Sequence, residues 1–315
     1  MNPYYDANVW EFMGIFFRRL FLWEGGLPSD ELQIWTLGAV STSTALLGTL
    51  LVLRKMTMVA NALSHTILLG IVGAFLLTGM NVMGGLDLTT LLIAAFVMGI
   101  LTTLSTDLLI RVARLQEDAS IGLVFNSLFA LGVVVLTLMT RDAHIGTEVV
   151  MGNVDALQKS DLRLMGALAG VNLFLIGLFF KEFNLTTFDP GLAHSMGYRP
   201  ALYSFLLMIL VSLSIVAAFR AVGALLVIAL IVIPPLTARF WTRSLLGLMS
   251  GAIGVGWLGS FVGVALSRHF LSVQGKALST GGIVVVLLGL LFLLSALIQR
   301  FHYLRIRGIV LSKRR

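Results

Sequence analysis

The chain has no cysteine and few charged residues. The absence of cysteine among its 315 residues excludes disulfide bonds, thiolate metal ligands and cysteine nucleophiles. Charged residues make up 12% of the sequence, whereas soluble domains contain about 25%. Hydrophobic residues make up 58%, and the mean hydropathy is +0.97. This little polar surface cannot cover a water-soluble particle, so the composition predicts a polytopic membrane protein.

Motifs for nucleotide binding and hydrolysis are missing too. The nearest match to a phosphate-binding loop, QGKALST at 274–280, lacks the earlier glycine and has Ala277 in place of the Mg²⁺-binding hydroxyl. The sequence contains no HExxH or GxSxG motif and no paired catalytic carboxylates. The chain therefore does not bind ATP by that route, and an intramembrane enzyme stays open but has no motif to support it. We expect a chain that is not an enzyme and that holds no permanent cofactor.

What the sequence does have is a series of apolar stretches. A membrane-spanning helix needs about 20 apolar residues. The candidates are 34–53, 57–78, 88–110, 119–139, 163–180, 201–218, 222–238, 246–267 and 280–298. Before them, residues 9–23 place Arg18 and Arg19 among aromatic residues, a pattern typical of a helix in the membrane interface. The sequence predicts an all-α fold, a transmembrane helical bundle of eight or nine spans with an N-terminal interfacial helix.

The basic residues predict the orientation and the division of the chain. The last sixteen residues include six basic ones, Arg300, Arg305, Arg307, Lys313, Arg314 and Arg315. Cytoplasmic segments are enriched in such residues, so this tail predicts a cytoplasmic C-terminus rather than a nucleic-acid site. We divide the chain into an N-terminal interfacial segment (1–33), a transmembrane domain (34–298) and a basic cytoplasmic tail (299–315).

Counting back from the tail assigns the loops to the two sides. The basic loops 111–118, 181–200 and 239–245 fall inside, and the acidic loop 140–162 falls outside. The same count places Arg54 and Lys55 inside and the N-terminus outside. The side of the N-terminus stays open, because a short or broken span at 57–78 would reverse it.

Three polar residues, Asn61, Ser64 and His65, lie within the apolar stretch 57–78. On a helix Asn61 and His65 share a face, because residues four apart are neighbours. Polar groups at membrane depth are costly unless they are satisfied within the bundle or line a wet cavity. Imidazole nitrogen and amide oxygen are both ligands for divalent cations. From spacing alone, a hydrogen bond between helices and a metal site are both open.

Four blocks of sequence together resemble one family. GTLLVLRKMTMVANALSHTILLG begins at residue 48, and EDASIGLVFNSLFALGVVVL occupies 117–136. FDPGLAHSMGY occupies 188–198, and AVGALLVIALIVIPPLTARFWTRSL occupies 221–245. In this order the blocks resemble the metal-ion permeases of the bacterial ABC-3 family, which serve zinc, manganese and iron importers.

The resemblance implies a function and a set of partners. It implies a multi-pass permease of the bacterial inner membrane that moves Zn, Mn or Fe ions. A separate cytoplasmic ATP-binding subunit would supply energy, and an extracytoplasmic metal-binding protein would deliver the ion. A second permease, identical or related, would complete the pathway. Within this family a metal role becomes the favoured interpretation of His65, with Asn61 and Ser64 beside it.

Two residues depart from the family pattern. Asn61 stands where the family has aspartate, and Leu69 stands where it has proline. An amide cannot offset the charge of a divalent ion as a carboxylate does, so this half of the pathway should hold metal more weakly. One hypothesis is a heterodimer whose other permease keeps the aspartate. The alternative is a site of lower charge that releases its ion easily.

Two segments on the cytoplasmic side are candidates for contact with the ATPase. In TARFWTRSL, 237–245, Arg239 and Arg243 are four residues apart. They represent either ordinary inside-positive charge or, with Thr237, a short coupling helix. Asp189 with Pro190 predicts the start of a helix. The family resemblance adds this loop, including His194, as a possible ATPase contact, although a solvated loop histidine is the simpler interpretation of His194.

Simpler structural roles account for other polar and small residues. Asp107 and Arg111, four apart, predict a local ion pair. The glycines of span 246–267 predict close helix packing.

Two other functional classes stay open at this point. An ATP-independent secondary cation transporter would need buried carboxylates for proton coupling, and mid-span Asp or Glu is nearly absent. A membrane scaffold without transport would show no stimulation of an ATPase.

Overall fold

The fold consists of helices throughout the part of the chain that the structure describes. The computed structural model describes residues 3–5, 7–22, 26–58, 62, 66, 69–70, 72–74, 88–140 and 154–312. The helices are α1 (Val9–Leu22), α2 (Ser29–Leu53), α3 (Leu88–Val112), α4 (Glu117–Thr140), α5 (Lys159–Leu178), α6 (Phe180–Phe188), α7 (Pro190–Ser195), α8 (Pro200–Val222), α9 (Ala224–Ala238), α10 (Leu245–Gln274) and α11 (Thr280–Ser312). A 3₁₀ turn covers Val154–Ala156. These ranges contain no strand, and the all-α fold class is confirmed.

The long helices follow the predicted spans closely. Within the part of the chain that the structure describes, five helices are long and apolar enough to cross a membrane: α2, α5, α8, α10 and residues Thr280–Phe301 of α11. Shorter apolar helices are Ala119–Val135, within α4, and α9. The stretch 57–78 lies largely outside the described residues, so the count of eight or nine spans stays a prediction. The helix α11 continues to Ser312, and the division at 33 and 298 also stays a prediction.

The helix α2 lies at the centre of the bundle, packed against α5, α8, α9 and α10. At Gly48 it meets α9 so closely that an added methyl group would overlap the carbonyl oxygen of Ile231. Deeper in the bundle, the buried amide of Asn172 on α5 donates to Ser43 Oγ at 2.5 Å and to Ser214 Oγ at 2.7 Å. These contacts tie α2 to α5, α8 and α9.

The glycines of α10 pack closely against other helices at four positions, Gly251, Gly256, Gly259 and Gly263, whereas Gly254 meets open space. A methyl group at Gly251 would lie 3.2 Å from Ala238 Cβ, and one at Gly259 would lie 2.6 Å from Leu288 Cδ2. Small residues here let α9 and α11 approach α10.

Charged residues lie at both ends of the bundle. We call basic end the one where α2, α3, α5 and α9 terminate. Its basic residues include Arg54, Arg111, Lys181 and Arg239. We call acidic end the opposite one, where α2 and α11 begin. Its carboxylates include Asp30, Glu31 and Asp155, and Arg19 and Arg268 pair there with Glu31 and Asp30. The segments predicted to lie on the cytoplasmic side therefore meet at one end of the fold.

The helix predicted at 9–23 is present as α1 and packs on α10 through aromatic rings, while its place in the membrane interface stays a prediction. The rings of Phe12 and Phe16 lie 6.3 and 5.0 Å from that of Phe261. Trp10 and Phe21 remain 82% and 85% exposed. The helix thus buries one face against the bundle and leaves aromatic residues on the other.

Polar contacts fix the chain around α1 at the acidic end. The hydroxyl of Tyr4 donates to Glu31 Oε1 at 2.7 Å, and Arg19 Nε pairs with the same oxygen at 2.6 Å. Arg268 Nε donates to the carbonyl oxygen of Tyr4 at 3.0 Å and lies 3.7 Å from Asp30 Oδ1. Burial, reinforced by Glu31, raises the pKa of the Tyr4 phenol far above its usual range. Tyr4 therefore stays a neutral donor.

One of the two interpretations of 237–245, a short coupling helix, is wrong. The helix α9 ends at Ala238, and residues 239–244 form a turn. Ser244 caps α10 by accepting from the amide of Gly247 at 3.2 Å. Residues 239–244 alone reverse the chain between α9 and α10, which pack against each other, so no helical turn forms there.

Candidate functional site

A cavity of about 570 Å³ opens at the basic end of the bundle. Its walls come from α2, α3, α4, α6, α7 and α8. The lining residues are Arg54, Met56, Ala62, Thr102, Thr103, Leu104, Thr106, Asp107, Ile110, Arg111, Ile121, Thr186, Thr187, Pro190, Ala201, Ser204, Phe205 and Met208. Hydroxyl and charged groups share these walls with apolar side chains, as in a cavity that admits water between transmembrane helices.

The three threonines of α3 that line the cavity donate to the helix's own backbone or to one neighbour. Thr103 Oγ1 donates to the carbonyl of Gly99 and Thr106 Oγ1 to that of Thr102, both at 2.8 Å. Thr102 Oγ1 donates to Thr66 Oγ1 at 3.4 Å. Back-bonded threonines can stand in an apolar span at little cost.

The predicted metal residues Asn61, Ser64 and His65 lie outside the described residues. Their described neighbours nevertheless show where the segment runs. Ala62 is buried against the cavity, and Thr66, also buried, meets α3.

Further along, the segment continues antiparallel to α3. A methyl group built on Gly70 would lie 2.5 Å from Met98 Cγ and 3.2 Å from the carbonyl oxygen of Ala94. One built on Gly132 of α4 would lie 3.0 Å from the backbone nitrogen of Leu69. As numbering rises from 66 to 70, the contacts on α3 fall from 102 to 98. The described residues Thr66, Leu69 and Gly70 of the segment therefore lie against α3 or α4.

Arg54, at the end of α2, joins three hydroxyl groups on two other helices. Its Nε donates to Thr187 Oγ1 at 3.0 Å, its Nη1 to Ser204 Oγ at 2.8 Å and its Nη2 to Thr186 Oγ1 at 3.1 Å. The sequence marked Arg54 only as an inside-positive residue. Its partners are more than 130 positions away, so spacing along the chain could not reveal them.

The pair Asp107 and Arg111 is confirmed at the mouth of the cavity. Arg111 Nε lies 2.8 Å from both carboxylate oxygens of Asp107. The side chains are 67% and 49% exposed for Arg111 and Asp107, so water screens the pair and its contribution to stability is small.

The loop of Asp189 and His194 forms the short helix α7, which packs against α6 and α8. As predicted, Asp189 caps it: Oδ1 accepts from the amide of Leu192 at 2.9 Å, and Pro190 follows the cap. Ala193 is fully buried and anchors the helix, whereas His194 is exposed. The predicted cap is confirmed.

Exposed apolar side chains surround this helix. Phe188, Leu192 and Met196 are 63%, 48% and 55% exposed. At the basic end, this is a surface suited to a partner protein.

The turn 239–244 presents a second exposed surface at the same end. Arg239, Trp241 and Arg243 are exposed. Thr237 is buried in α9, and its hydroxyl donates to the carbonyl of Ile233 at 2.8 Å. Thr237 is therefore enclosed in the bundle, whereas the two arginines lie on its surface. Hydrogen bonds and ring contacts of the described residues do not join this turn to α7.

A polar contact that the sequence did not suggest ties the loop before α5 to the acidic end. The buried Thr280 Oγ1 lies 2.5 Å from Asp155 Oδ1 and 2.8 Å from Ser267 Oγ. Among the described residues, no group of three or more His, Asp or Glu side chains is placed to hold a metal.

Comparison with known proteins identifies related chains over nearly the whole length. The profile of the ABC 3 transport family matches residues 32–299. A protein of Chlamydia muridarum named "Probable metal transport system membrane protein" is 39% identical over 309 residues, 96% of this chain and 97% of the relative. The manganese transport system membrane protein MntD of Bacillus subtilis is 36% identical over 258 residues, 78% of this chain and 85% of the relative.

Further relatives are named for zinc and for iron transport. Among solved structures, PsaBC from Streptococcus pneumoniae in complex with Fab superposes with a TM-score of 0.71. It shares 27% identity and covers 87% of this chain and 94% of that one. The helical arrangement described above is therefore similar to that of PsaBC.

Proposed function

The chain belongs to the ABC 3 transport family, and on that basis we propose that it is the permease subunit of an importer for divalent transition-metal ions. Its relatives are named for manganese, zinc and iron. These three ions share imidazole and oxygen ligands, and affinity order alone does not choose among them. The ion is the transported substrate.

The cavity at the basic end is the observation that carries this proposal. It opens beside Ala62, within the segment of Asn61, Ser64 and His65, and it is lined by Arg54, Asp107 and the threonines of α3. A polar cavity beside a segment whose described residues Ala62 and Thr66 are buried is an arrangement that suits an ion pathway. We assign the cavity to the cytoplasmic half of that pathway.

His65 is the proposed ligand in the pathway, with Asn61 and Ser64 beside it. A neutral imidazole binds manganese, zinc and iron, and an amide oxygen adds a weaker donor without charge. With Asn61 in place of a carboxylate, the site retains the ion weakly. A second permease that supplies a carboxylate would make the complete pathway asymmetric, as in a heterodimer.

The basic end is the proposed docking face for a cytoplasmic ATP-binding subunit. The helix α7 projects there with its cap Asp189, the exposed His194 and apolar side chains, and Arg239 and Arg243 add a second contact. ATP binding and hydrolysis in the partner would move α7 as a rigid body. Thr237, which is buried, would act by holding the end of α9.

The acidic end would then face outward, where an extracytoplasmic metal-binding protein delivers the ion. This orientation follows the inside-positive distribution of basic residues and places the C-terminus in the cytoplasm of a bacterium, with the bundle in the inner membrane.

Reconstitution tests this function. The permease, with the ATP-binding subunit and binding protein of its own system, is placed in proteoliposomes, and uptake of Mn²⁺, Zn²⁺ and Fe²⁺ is measured. Uptake is expected only with ATP and binding protein together. Uptake that follows an imposed proton gradient without ATP would instead show a secondary transporter, and failure to stimulate the ATPase would indicate a scaffold.

A further inference from the structure

We propose that Arg54 is a positioning residue that couples movement of α7 to the pathway segment beginning at Met56. This inference rests on the proposed function, since it assigns the mechanical link between the docking face and the ion pathway. Arg54 holds the end of α2 to α6 and α8 through the three hydroxyl groups of Thr186, Thr187 and Ser204. We call these four residues the Arg54 clamp.

The clamp uses a feature that only a guanidinium provides. Its N–H groups point in fixed directions, so Nε, Nη1 and Nη2 reach three separate oxygens at 2.8 to 3.1 Å at once. Thr186 Oγ1 also lies 2.8 Å from the carbonyl oxygen of Glu182, so its hydroxyl can accept from Arg54 while donating to its own helix. The link between Arg54 and α6 is therefore both direct and rigid.

From α7 to the clamp the path is short. Asp189 ends α6, since its amide donates to the carbonyl of Leu185 at 2.9 Å, and its side chain caps α7. Thr187 lies two residues before Asp189. Ala193, fully buried, fixes α7 on its neighbours. A displacement of α7 therefore reaches Thr186 and Thr187 without passing through a flexible linker.

From the clamp to the pathway the path is equally short. The amide of Lys55 donates to the carbonyl of Val52 at 3.2 Å, and the amide of Met56 donates to that of Leu51 at 2.9 Å. These two hydrogen bonds form a Schellman motif, in which the backbone of Lys55 adopts the left-handed conformation with φ 61°. Met56 lines the cavity and Ala62 follows. The backbone next to Arg54 is thus fixed up to the start of the segment that carries Asn61 and His65.

The first test measures how many metal ions enter per ATP hydrolysed. Arg54→Lys keeps the positive charge but loses the guanidinium group. The double variant Thr187→Val with Ser204→Ala removes two of the hydroxyl groups that accept hydrogen bonds from Arg54, with little change in volume. Matched controls are Arg300→Lys, and Thr137→Val with Ser250→Ala, all at exposed sites away from the clamp. We expect ions per ATP to fall roughly fivefold or more in both clamp variants and in neither control.

The outcomes separate coupling from assembly. Complex yield should stay near wild type in the clamp variants, and the ATPase rate is measured in the same vesicles as metal uptake. A ratio of ions to ATP within about twofold of wild type in both clamp variants would overturn the proposal, because the coupling free energy would then be negligible. Should Arg54→Lys fail to assemble, the hydroxyl variant decides alone.

The second test does not depend on transport. Because the chain has no cysteine, Met58→Cys and Ser195→Cys give a pair of unique labelling sites, both exposed, one on each side of the clamp. Distances between spin labels are measured in detergent, with and without the clamp variants. We expect one narrow distribution when the clamp is intact and a broader or shifted one when Thr187 and Ser204 lose their hydroxyls.

Equal distributions in the two backgrounds would overturn the clamp even in a working transporter. Conversely, absence of ATP-driven uptake in the wild type would contradict the proposed function, while the label distances would still report whether the clamp joins the two segments.

Discussion

The hydroxyl of Thr102 on α3 lies 3.4 Å from that of Thr66, the residue that follows His65 in the chain. Both threonines are buried. This pair and the contact of Gly70 with Met98 hold the segment along α3 beside the cavity. The described residues Thr66 and Gly70 of this segment thus pack against α3.

Replacing Asn61 with aspartate should strengthen metal retention. A carboxylate restores the charge that an amide lacks, so Asn61→Asp is expected to tighten binding roughly tenfold and to slow release. Retained metal after gel filtration and the rate of uptake measure the two effects. Asn61→Ser, which keeps an uncharged oxygen, serves as control. Equal retention in Asn61→Asp and Asn61→Ser would contradict a role of position 61 in binding.

Gly48 should tolerate no side chain. The carbonyl oxygen of Ile231 occupies the place of an added methyl group, and a backbone atom cannot rotate away. Gly48→Ala must separate α2 from α9 and is expected to lower the free energy of unfolding by about 1–3 kcal/mol. Thermal unfolding in detergent measures this. The matched control is Gly254→Ala on α10, where a methyl group meets open space. A similar shift in the two variants would show that the close approach is unimportant.

Replacing Lys55 with glycine should stabilise the protein. A side chain in the left-handed region costs about 1 kcal/mol, and glycine removes that cost. Lys55→Gly is therefore expected to raise the unfolding temperature, whereas Lys55→Ala, which removes the exposed charge and keeps the backbone strain, should not. Should both variants shift the unfolding temperature equally, the effect would belong to the charge and not to the backbone.

The cap of α7 should influence stimulation of the ATPase. Asp189→Ala loses the bond to the amide of Leu192, and such a cap is worth about 1 kcal/mol. In a six-residue helix this loss favours fraying, so stimulation of the partner's ATPase should fall. Asp189→Asn keeps a cap acceptor and should retain most stimulation. Hydrogen exchange of residues 190–196 reports fraying directly. Full stimulation in Asp189→Ala would exclude α7 as the docking element.

Hydropathy and capping residues predicted much of the fold. The end of α2 and the starts of α8 and α10 follow from apolar length, and the gap between the predicted spans 201–218 and 222–238 lies close to Gly223, whose φ of 88° separates α8 from α9. The cap at Asp189 and the pair at Asp107 are local, so spacing along the chain was sufficient to find them.

Contacts between distant helices were not predictable in this way. Arg54 meets hydroxyls that lie more than 130 residues further along the chain, and Tyr4 donates to Glu31 only because α1 folds back on α10. Hydropathy gives the length of a span but not the face that it turns to each neighbour. The short coupling helix, one of the two interpretations of 237–245, is not present because residues 239–244 reverse the chain between α9 and α10.

The measurement that tests the account most directly is ATP-driven metal uptake by His65→Ala. The permease, its ATP-binding subunit and its binding protein are reconstituted together, and metal uptake and ATPase rate are read in the same vesicles. His302→Ala provides a histidine control outside the proposed pathway. The account predicts that His65→Ala assembles and keeps its basal ATPase rate but loses uptake, whereas His302→Ala transports normally. Normal uptake by His65→Ala would contradict it and would make the polar residues at 61–65 helix-packing groups.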